Sequence, residues 1–403
     1  MTPARSVSPR HGWLTATLVA QLAFGLVAMT ICLPSMQDWP AEFGASQARV
    51  QLTFSGFVAA YGGLQLVFGP LSDRIGRKPI LVLGLAVAGL ASVLAALAPD
   101  LRVLTIARVL QGAGSAAGMV VGRAMIQDLF EGPDRTRMMA FVGMTMGVCP
   151  PLATLVGGQL HVRFGWQANF VLMAVLAVVL LLASLKGLPA SRKREASALA
   201  TGWGELFAGY ARLLREPAFL GFVMILSATT ATFYTFLGGA PIVLKRYGVT
   251  PEQIGWYIMC IPVAYIFGNM LTTRLIRRHA DRFIMKLGQV GTLGGLVLLL
   301  GLGLAGTHTP LALALPLVFL GIGQGLLAPP TLAGTVGQVP ALAGSAAAVA
   351  GLMQQLTGAL GGFVVGLVPH DGPVNLALVM LAWAVAGLAA QMVLFRFVLR
   401  RRA

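Results

Sequence analysis

The sequence predicts an all-α membrane protein of twelve transmembrane helices in two six-helix halves, and three observations carry that expectation. The 403 residues are 57% apolar and only 10% charged, with a mean hydropathy of +0.81. A soluble domain carries roughly a quarter of its residues as Asp, Glu, Lys and Arg, so a water-soluble globule and a disordered chain are both excluded. The apolar residues gather into twelve runs near the roughly 20 residues that a helix needs to cross hydrocarbon. Finally, a single long polar segment, Lys186 to Glu216, divides those runs six and six.

Taken in order, the first run, Trp13 to Leu33, is of spanning length and has no clear small-residue cleavage site, so it reads as a span and not a signal peptide. The runs Val50 to Leu71, Pro79 to Leu97, Val103 to Val121, Met138 to Leu160 and Asn169 to Leu185 complete the first half. Phe219 to Val243, Ile254 to Ile276, Phe283 to Ala305, Leu311 to Ala328, Ala341 to Val368 and Val374 to Leu399 form the second. None alternates apolar with polar as a barrel strand does, which leaves the helix as the spanning structure. The expected division is 1–190, 191–216 and 217–403, with Trp203 to Leu214 as an interfacial amphipathic helix. Four-residue glycine spacing lets helix backbones approach closely, and it recurs in the fifth run (Gly143, Gly147) and the eleventh (Gly358, Gly362, Gly366).

Basic residues set the orientation. With the amino terminus in the cytoplasm, 23 of the 29 Lys and Arg fall on the cytoplasmic side, five fall outside, and Arg108 lies within a span. Both termini are therefore expected in the cytoplasm, and the net charge of +16 reads as topology with no call for nucleic acid. The 13 acids all fall at span ends or in loops. Cys32, Cys149 and Cys260 lie in separate spans without metal or disulfide spacing. No phosphate-binding loop, zinc pair or nucleophile elbow occurs; Gly301 to Gly306 matches a dinucleotide pattern by spacing but has no strand before it. Neither an enzyme nor a cofactor or metal site is expected, and the five histidines at span ends or loops make poor proton relays.

Polar and aromatic residues within spans are candidates to line a cavity, with helix-to-helix bonding as the plainer alternative for each. Tyr257, Ile261, Tyr265 and Asn269 recur every four residues on the eighth run. Tyr61 and Gln65, Gln21, Phe233 and Tyr234, Gln324, and Gln354 and Gln355 extend the set. Arg108, followed by Gln111, is either a functional intramembrane charge or a structural arginine bonding carbonyls across helices.

The loop Gly69-Pro70-Leu71-Ser72-Asp73-Arg74-Ile75-Gly76-Arg77-Lys78 would let Asp73 cap a helix and pair with an arginine, latching neighbouring helices. It resembles the G-x-L-a-D-r-x-G-r-k signature of the major facilitator superfamily. Arg108 to Gly112 is similar to that family's R-x-x-x-G segment. Gly143, Gly147, Pro150, Pro151, Gly157 and Gly158 look like its antiporter motif, with Thr154 where close relatives often carry a proline. Leu33-Pro34, Gly122 to Gly132, Met146 to Gly158 and Gly239-Ala240-Pro241 resemble the bicyclomycin and chloramphenicol resistance (Bcr/CflA-type) exporters.

The resemblance implies a bacterial-type inner-membrane exporter of small drugs, coupled to protons, rocking two halves about a central cavity, with membrane lipids around it and a monomer expected. One departure matters: the subgroup's aspartate near the outer end of span 1 is replaced by Thr30, so Arg108 is expected to face a hydroxyl. Arginine cannot carry the proton, and Asp38 is the nearest carboxylate to take that role or to remain a hydrated loop acid. An unpaired Arg108 would favour neutral or anionic substrates. An uncoupled or differently coupled facilitator or importer of a small metabolite, and a non-transporting membrane sensor, are the alternatives.

Overall fold

The computed structural model describes residues 9–189, 203–339, 342–369 and 372–398. The first half is built from α1 (Pro9–Thr30), the short α2 (Trp39–Glu42), α3 (Gln47–Ile75), α4 (Arg77–Ala96), α5 (Leu101–Leu129), α6 (Gly132–Phe164) and α7 (Gln167–Gly187). After the connecting helix α8 (Trp203–Leu214) come α9 (Pro217–Arg246), α10 (Pro251–Ile258), α11 (Cys260–Leu275), α12 (Asp281–Leu304), α13 (Pro310–Ala314), α14 (Pro316–Gly337), α15 (Ala343–Val365) and α16 (Pro373–Val393). Among the described residues, eleven segments are long and apolar enough to cross a membrane, and the 33-residue α6 supplies the twelfth span of the fold.

Helix ends follow local chemistry. Asp100 accepts the Val103 N–H at 2.9 Å and starts α5, and the Thr309 hydroxyl accepts the Ala312 N–H at 3.2 Å and starts α13. Two spans are interrupted: Pro262 has no N–H for the Ile258 carbonyl, where α10 ends, and Pro316 opens α14 directly after α13. Gly76, at φ 113°, makes the left-handed turn between α3 and α4.

The two halves repeat one packing pattern. In the first, α3 and α4 both pack on α5, α4 packs on α7, and α1 packs on α5, α6 and α7. In the second, α11 and α12 pack on α14, α12 on α16, and α9 on α14, α15 and α16. These are the same relations shifted by six spans, the mark of a duplicated unit. The halves meet along two seams, α3 against α15 and α6 against α10 and α11, which the same exchange interconverts.

Those seams run from the face carrying Asp38 and Tyr247 (the far face) toward the face carrying both ends of the described chain (the terminal face). Along α3 and α15, Ala48 lies against Gly366, Phe54 against Gly362, and Gly62 against Gln355. Along α6 and α10, Gly158 lies against the Pro251 carbonyl and Leu155 against Gly255, while deeper in, Gly147 approaches Ile266 of α11. The Gln51 amide also donates to the Gly238 carbonyl at 2.9 Å, tying α3 to α9.

Candidate functional site

Three polar groups deserve a physical account, and the first is centred on Arg108. Helix α1 ends at Thr30, so its last carbonyls have no partner within the helix. Arg108 reaches across from α5 and donates to the Ala28 carbonyl at 2.7 Å, to the Met29 carbonyl at 3.4 Å and to Gln111 Oε1 at 2.5 Å. Its guanidinium lies 4.3 Å from the centre of the Phe57 ring. The Gln111 amide in turn donates to Ser92 Oγ at 2.8 Å on α4. Arg108, Gln111 and Thr30 have no solvent exposure. The Thr30 hydroxyl is turned away, donating to the Leu26 carbonyl at 2.9 Å, so no arginine–hydroxyl pair forms. Arg108 is a cation at a helix C-terminus, where the aligned carbonyls favour positive charge; its hydrogen bonds stay within the first half.

The second group lies on the seam between the halves. Tyr234 of α9 donates to Gln355 Oε1 at 3.0 Å, and Thr230 donates to Gln354 Oε1 at 3.3 Å, joining α9 to α15. From the first half, Phe54 packs edge-on to Tyr234 with ring centres 5.8 Å apart, Gly62 lies against Gln355, and Gln65 approaches Gly351. Gln65, Tyr234 and Gln355 are thereby placed on one seam, while Tyr61 stacks on Phe57 and lies against Gly25 of α1, and Gln354 stays with Thr230 of its own half. Tyr257, Tyr265 and Asn269 belong elsewhere: the span breaks at Met259, between Tyr257 and Tyr265, and the Asn269 amide donates to its own helix at the Tyr265 carbonyl, 3.2 Å away. Gln324 and Gln21 tie helices together, through the Thr229 carbonyl at 3.2 Å and Ser184 Oγ at 2.6 Å.

Sequence reading assigned Arg123 to a cytoplasmic loop, yet α5 continues to Leu129 and carries Arg123 inside the helix. The unbroken stretch from Met119 to Leu129, with no glycine or proline after Gly122, was the available signal. The side chain keeps some solvent exposure and donates to Met146 Sδ at 3.0 Å.

The third group closes the far face. Asp38, between α1 and α3, receives Lys245 Nζ at 2.5 Å from α9 and His161 Nε2 at 2.9 Å from α6; Lys245 also donates to the Gln37 carbonyl at 3.1 Å. Burial by itself would raise the Asp38 pKa, but the hydrogen bonds and charges of Lys245 and His161 outweigh it and hold the carboxyl below its ordinary value. His161 and Lys245 were not among the expected site residues.

At the terminal face, Arg77 bonds Asp73 at 2.7 Å, Asp128 at 3.0 Å and Ser72 Oγ at 2.7 Å, fastening α3, α4 and α5. Asp73 caps no helix: it sits in the last turn of α3, next to Arg74, and Gly76 makes the turn. Gly69 packs on Val120, and Gly157 lies against the Ile31 carbonyl within the first half. Pro150 is buried within a continuous α6. The surroundings of Gly143 fall outside the described residues.

Comparison with known proteins places this geometry in context. Residues 14–362 match the Major Facilitator Superfamily. The chain is 27% identical over 369 residues to multidrug resistance protein D of Escherichia coli, covering 91% of this chain and 92% of that protein. It is 26% identical over 384 residues to the chloramphenicol resistance protein of Pseudomonas aeruginosa, covering 93% and 90%. Among solved structures, a bacterial homolog of the human lysosomal transporter Spinster, inward-facing and unoccupied, superposes with a TM-score of 0.77 at 18% identity, covering 97% of each chain. A D-xylose–proton symporter superposes with a TM-score of 0.74 at 16% identity, covering 95% and 97%.

Proposed function

The chain belongs to the major facilitator superfamily, and from that premise we propose that it exports small hydrophobic drugs or metabolites from the cytoplasm by alternating access, driven by proton antiport. It is a multi-pass membrane protein with transporters as relatives and structural neighbours. The observation that carries the reading is the seam cluster: Phe54, Gly62 and Gln65 from one half meet Tyr234, Gln355 and Gly351 from the other, so a ligand bound there touches both moving bodies. Its mixture of aromatic rings and a few placed polar groups suits small amphipathic molecules. Relatives named for multidrug and chloramphenicol resistance support the same substrate class. The distribution of Lys and Arg supports an inner-membrane orientation with both termini cytoplasmic, which makes the closed far face the outer one.

In this reading the halves, 1–190 and 217–403, rock about the two seams, and the Asp73–Arg77–Asp128 fastening keeps the first half rigid while they do. Asp38 couples the motion to protons. With the outer face closed, Lys245 and His161 together hold it ionised; when the face opens and Lys245 withdraws, His161 alone opposes the effect of burial, and the carboxyl takes up a proton more readily. Proton uptake from outside and closure of the latch then compete for one carboxylate. Every other described carboxylate lies in the first or last turn of a helix, at a cap or between helices. That same observation favours the second reading, an uncoupled facilitator or importer of a small metabolite. Drug accumulation in cells with and without the protein, with the pH gradient set in each direction, separates them. Export that follows the inward proton gradient and fails in Asp38→Asn supports the first reading; transport indifferent to the gradient supports the second.

A further inference from the structure

At the far face, beside the seam between α6 and α10, a groove of about 330 Å³ runs along the outside of the helix pair. Its first-half wall is one stripe of α6 that includes Val156, Gln159, Arg163 and Phe164, and its second-half wall is Glu252 and Trp256, one turn apart on α10. Behind the groove the two helices touch at the backbone: Gly158 meets Pro251 and the Cα of Glu252, and a side chain there would have no room. Arg163 and Glu252 line the same groove yet do not pair with each other, and among the described residues neither has an ion pair or a hydrogen bond. Opposite charges held apart on the two walls leave a place between them for a molecule that carries both signs. Phe164 and Trp256 are 72% and 65% exposed. They are large rings at the ends of two spans, where aromatic side chains sit at the level of lipid headgroups.

We propose that this groove holds one phospholipid with a zwitterionic, primary-ammonium headgroup of the phosphatidylethanolamine type. Arg163 donates to the phosphate, Gln159 adds an amide donor one turn away, and the ammonium donates to the Glu252 carboxylate, while an acyl chain lies over Val156 and Trp256. Charge complementarity selects this headgroup. A headgroup with a negative centre alone satisfies Arg163 but is repelled by Glu252, and a choline nitrogen has no N–H to give the carboxylate. One wall belongs to each half of the protein, so the lipid joins the halves at the far face only while that face is closed, and its binding stabilises the closed state.

The joining of the halves rests on the alternating-access reading, and the experiment separates the two. Lipid binding is measured by native mass spectrometry on the full chain purified in detergent and titrated with dioleoyl phosphatidylethanolamine, phosphatidylcholine or phosphatidylglycerol. The distance between spin labels across the far face is measured in bilayers of the same lipids. The expected result is one phosphatidylethanolamine held in preference to the other two. Its affinity falls about fivefold in Arg163→Gln and in Glu252→Gln, the scale of one part-exposed ion pair. The double variant Arg163→Glu with Glu252→Arg, which keeps both signs in the groove, recovers it. In wild type, phosphatidylethanolamine shortens the label distances, and in either single variant it does so less. Equal retention of the three lipids, or phosphatidylethanolamine binding indifferent to both substitutions, overturns the site, as does displacement of the lipid by an equal concentration of free phosphoethanolamine. Binding that behaves as expected with label distances that never change leaves the lipid site standing and counts against rocking halves.

Discussion

Arg108 and Arg123 lie on one helix, 15 residues and so about 22 Å apart, in opposite circumstances. Arg108 has no solvent exposure, two carbonyls and an amide oxygen as acceptors for its terminal nitrogens, an Nε without a partner, and an aromatic ring beneath it. Arg123 keeps some exposure and, among the described residues, has one sulfur as acceptor. A charge in a membrane helix is usually read as a functional site. The pair teaches that surroundings decide: Arg108, held on two carbonyls and an amide oxygen with only its Nε left unpartnered, is architecture, whereas Arg123 keeps enough exposure for water to meet its donors.

The sharpest way to break this contrast is to neutralise each arginine and melt the protein in detergent. Arg108→Gln is expected to cost about 3 kcal/mol, because the Ala28 and Met29 carbonyls lose their partner inside the bundle. Gln111→Leu should cost about 1–2 kcal/mol, by removing an acceptor from Arg108 and a donor from Ser92. Phe57→Leu, which withdraws the ring from the guanidinium, should cost about 1 kcal/mol.

A weaker test compares these buried contacts with the part-exposed latch at Asp38. There Asp38→Asn should loosen the far face by at most about 1 kcal/mol, read as a longer distance between spin labels placed across that face. The carboxyl is held below its ordinary pKa by Lys245 and His161, so closure gains from its charge at neutral pH. That gain is lost as the pH falls below about 4 and through the lowered value. Smallest of all, Arg123→Gln should move the melting midpoint by the equivalent of less than about 0.5 kcal/mol. A melting loss equal to that of Arg108→Gln would erase the distinction.

Much of the fold was legible because bilayer spans are specified by length and apolarity, properties local to each run. The interruptions at Met259 and after Ala314 were missed because a proline within an apolar run does not disclose whether its span bends or breaks. At the site, Gln65, Tyr234 and Gln355 were legible as polar groups in apolar helices. Their placement on one seam was not, since it depends on which helix faces form the seams. Arg123 was lost through one boundary error of eight residues, Val121 for Leu129, which moved a cation from helix to loop. The role of Arg108 turned on two backbone carbonyls, and no side-chain pattern marks those. His161 and Lys245 read as surface charges until the fold set both against Asp38.

The bond from Arg108 to Ala28 joins residues 80 apart in the chain, and this has a consequence for how the protein is made. As α1 leaves the ribosome and enters the bilayer, its final carbonyls must keep water, because the group that replaces water has not yet been synthesised. Only when α5 arrives, three spans later, can that end of α1 dehydrate and settle. The first half is therefore expected to mature as one unit during biosynthesis, and nascent chains released before α5 should remain open to proteases at the end of their first helix.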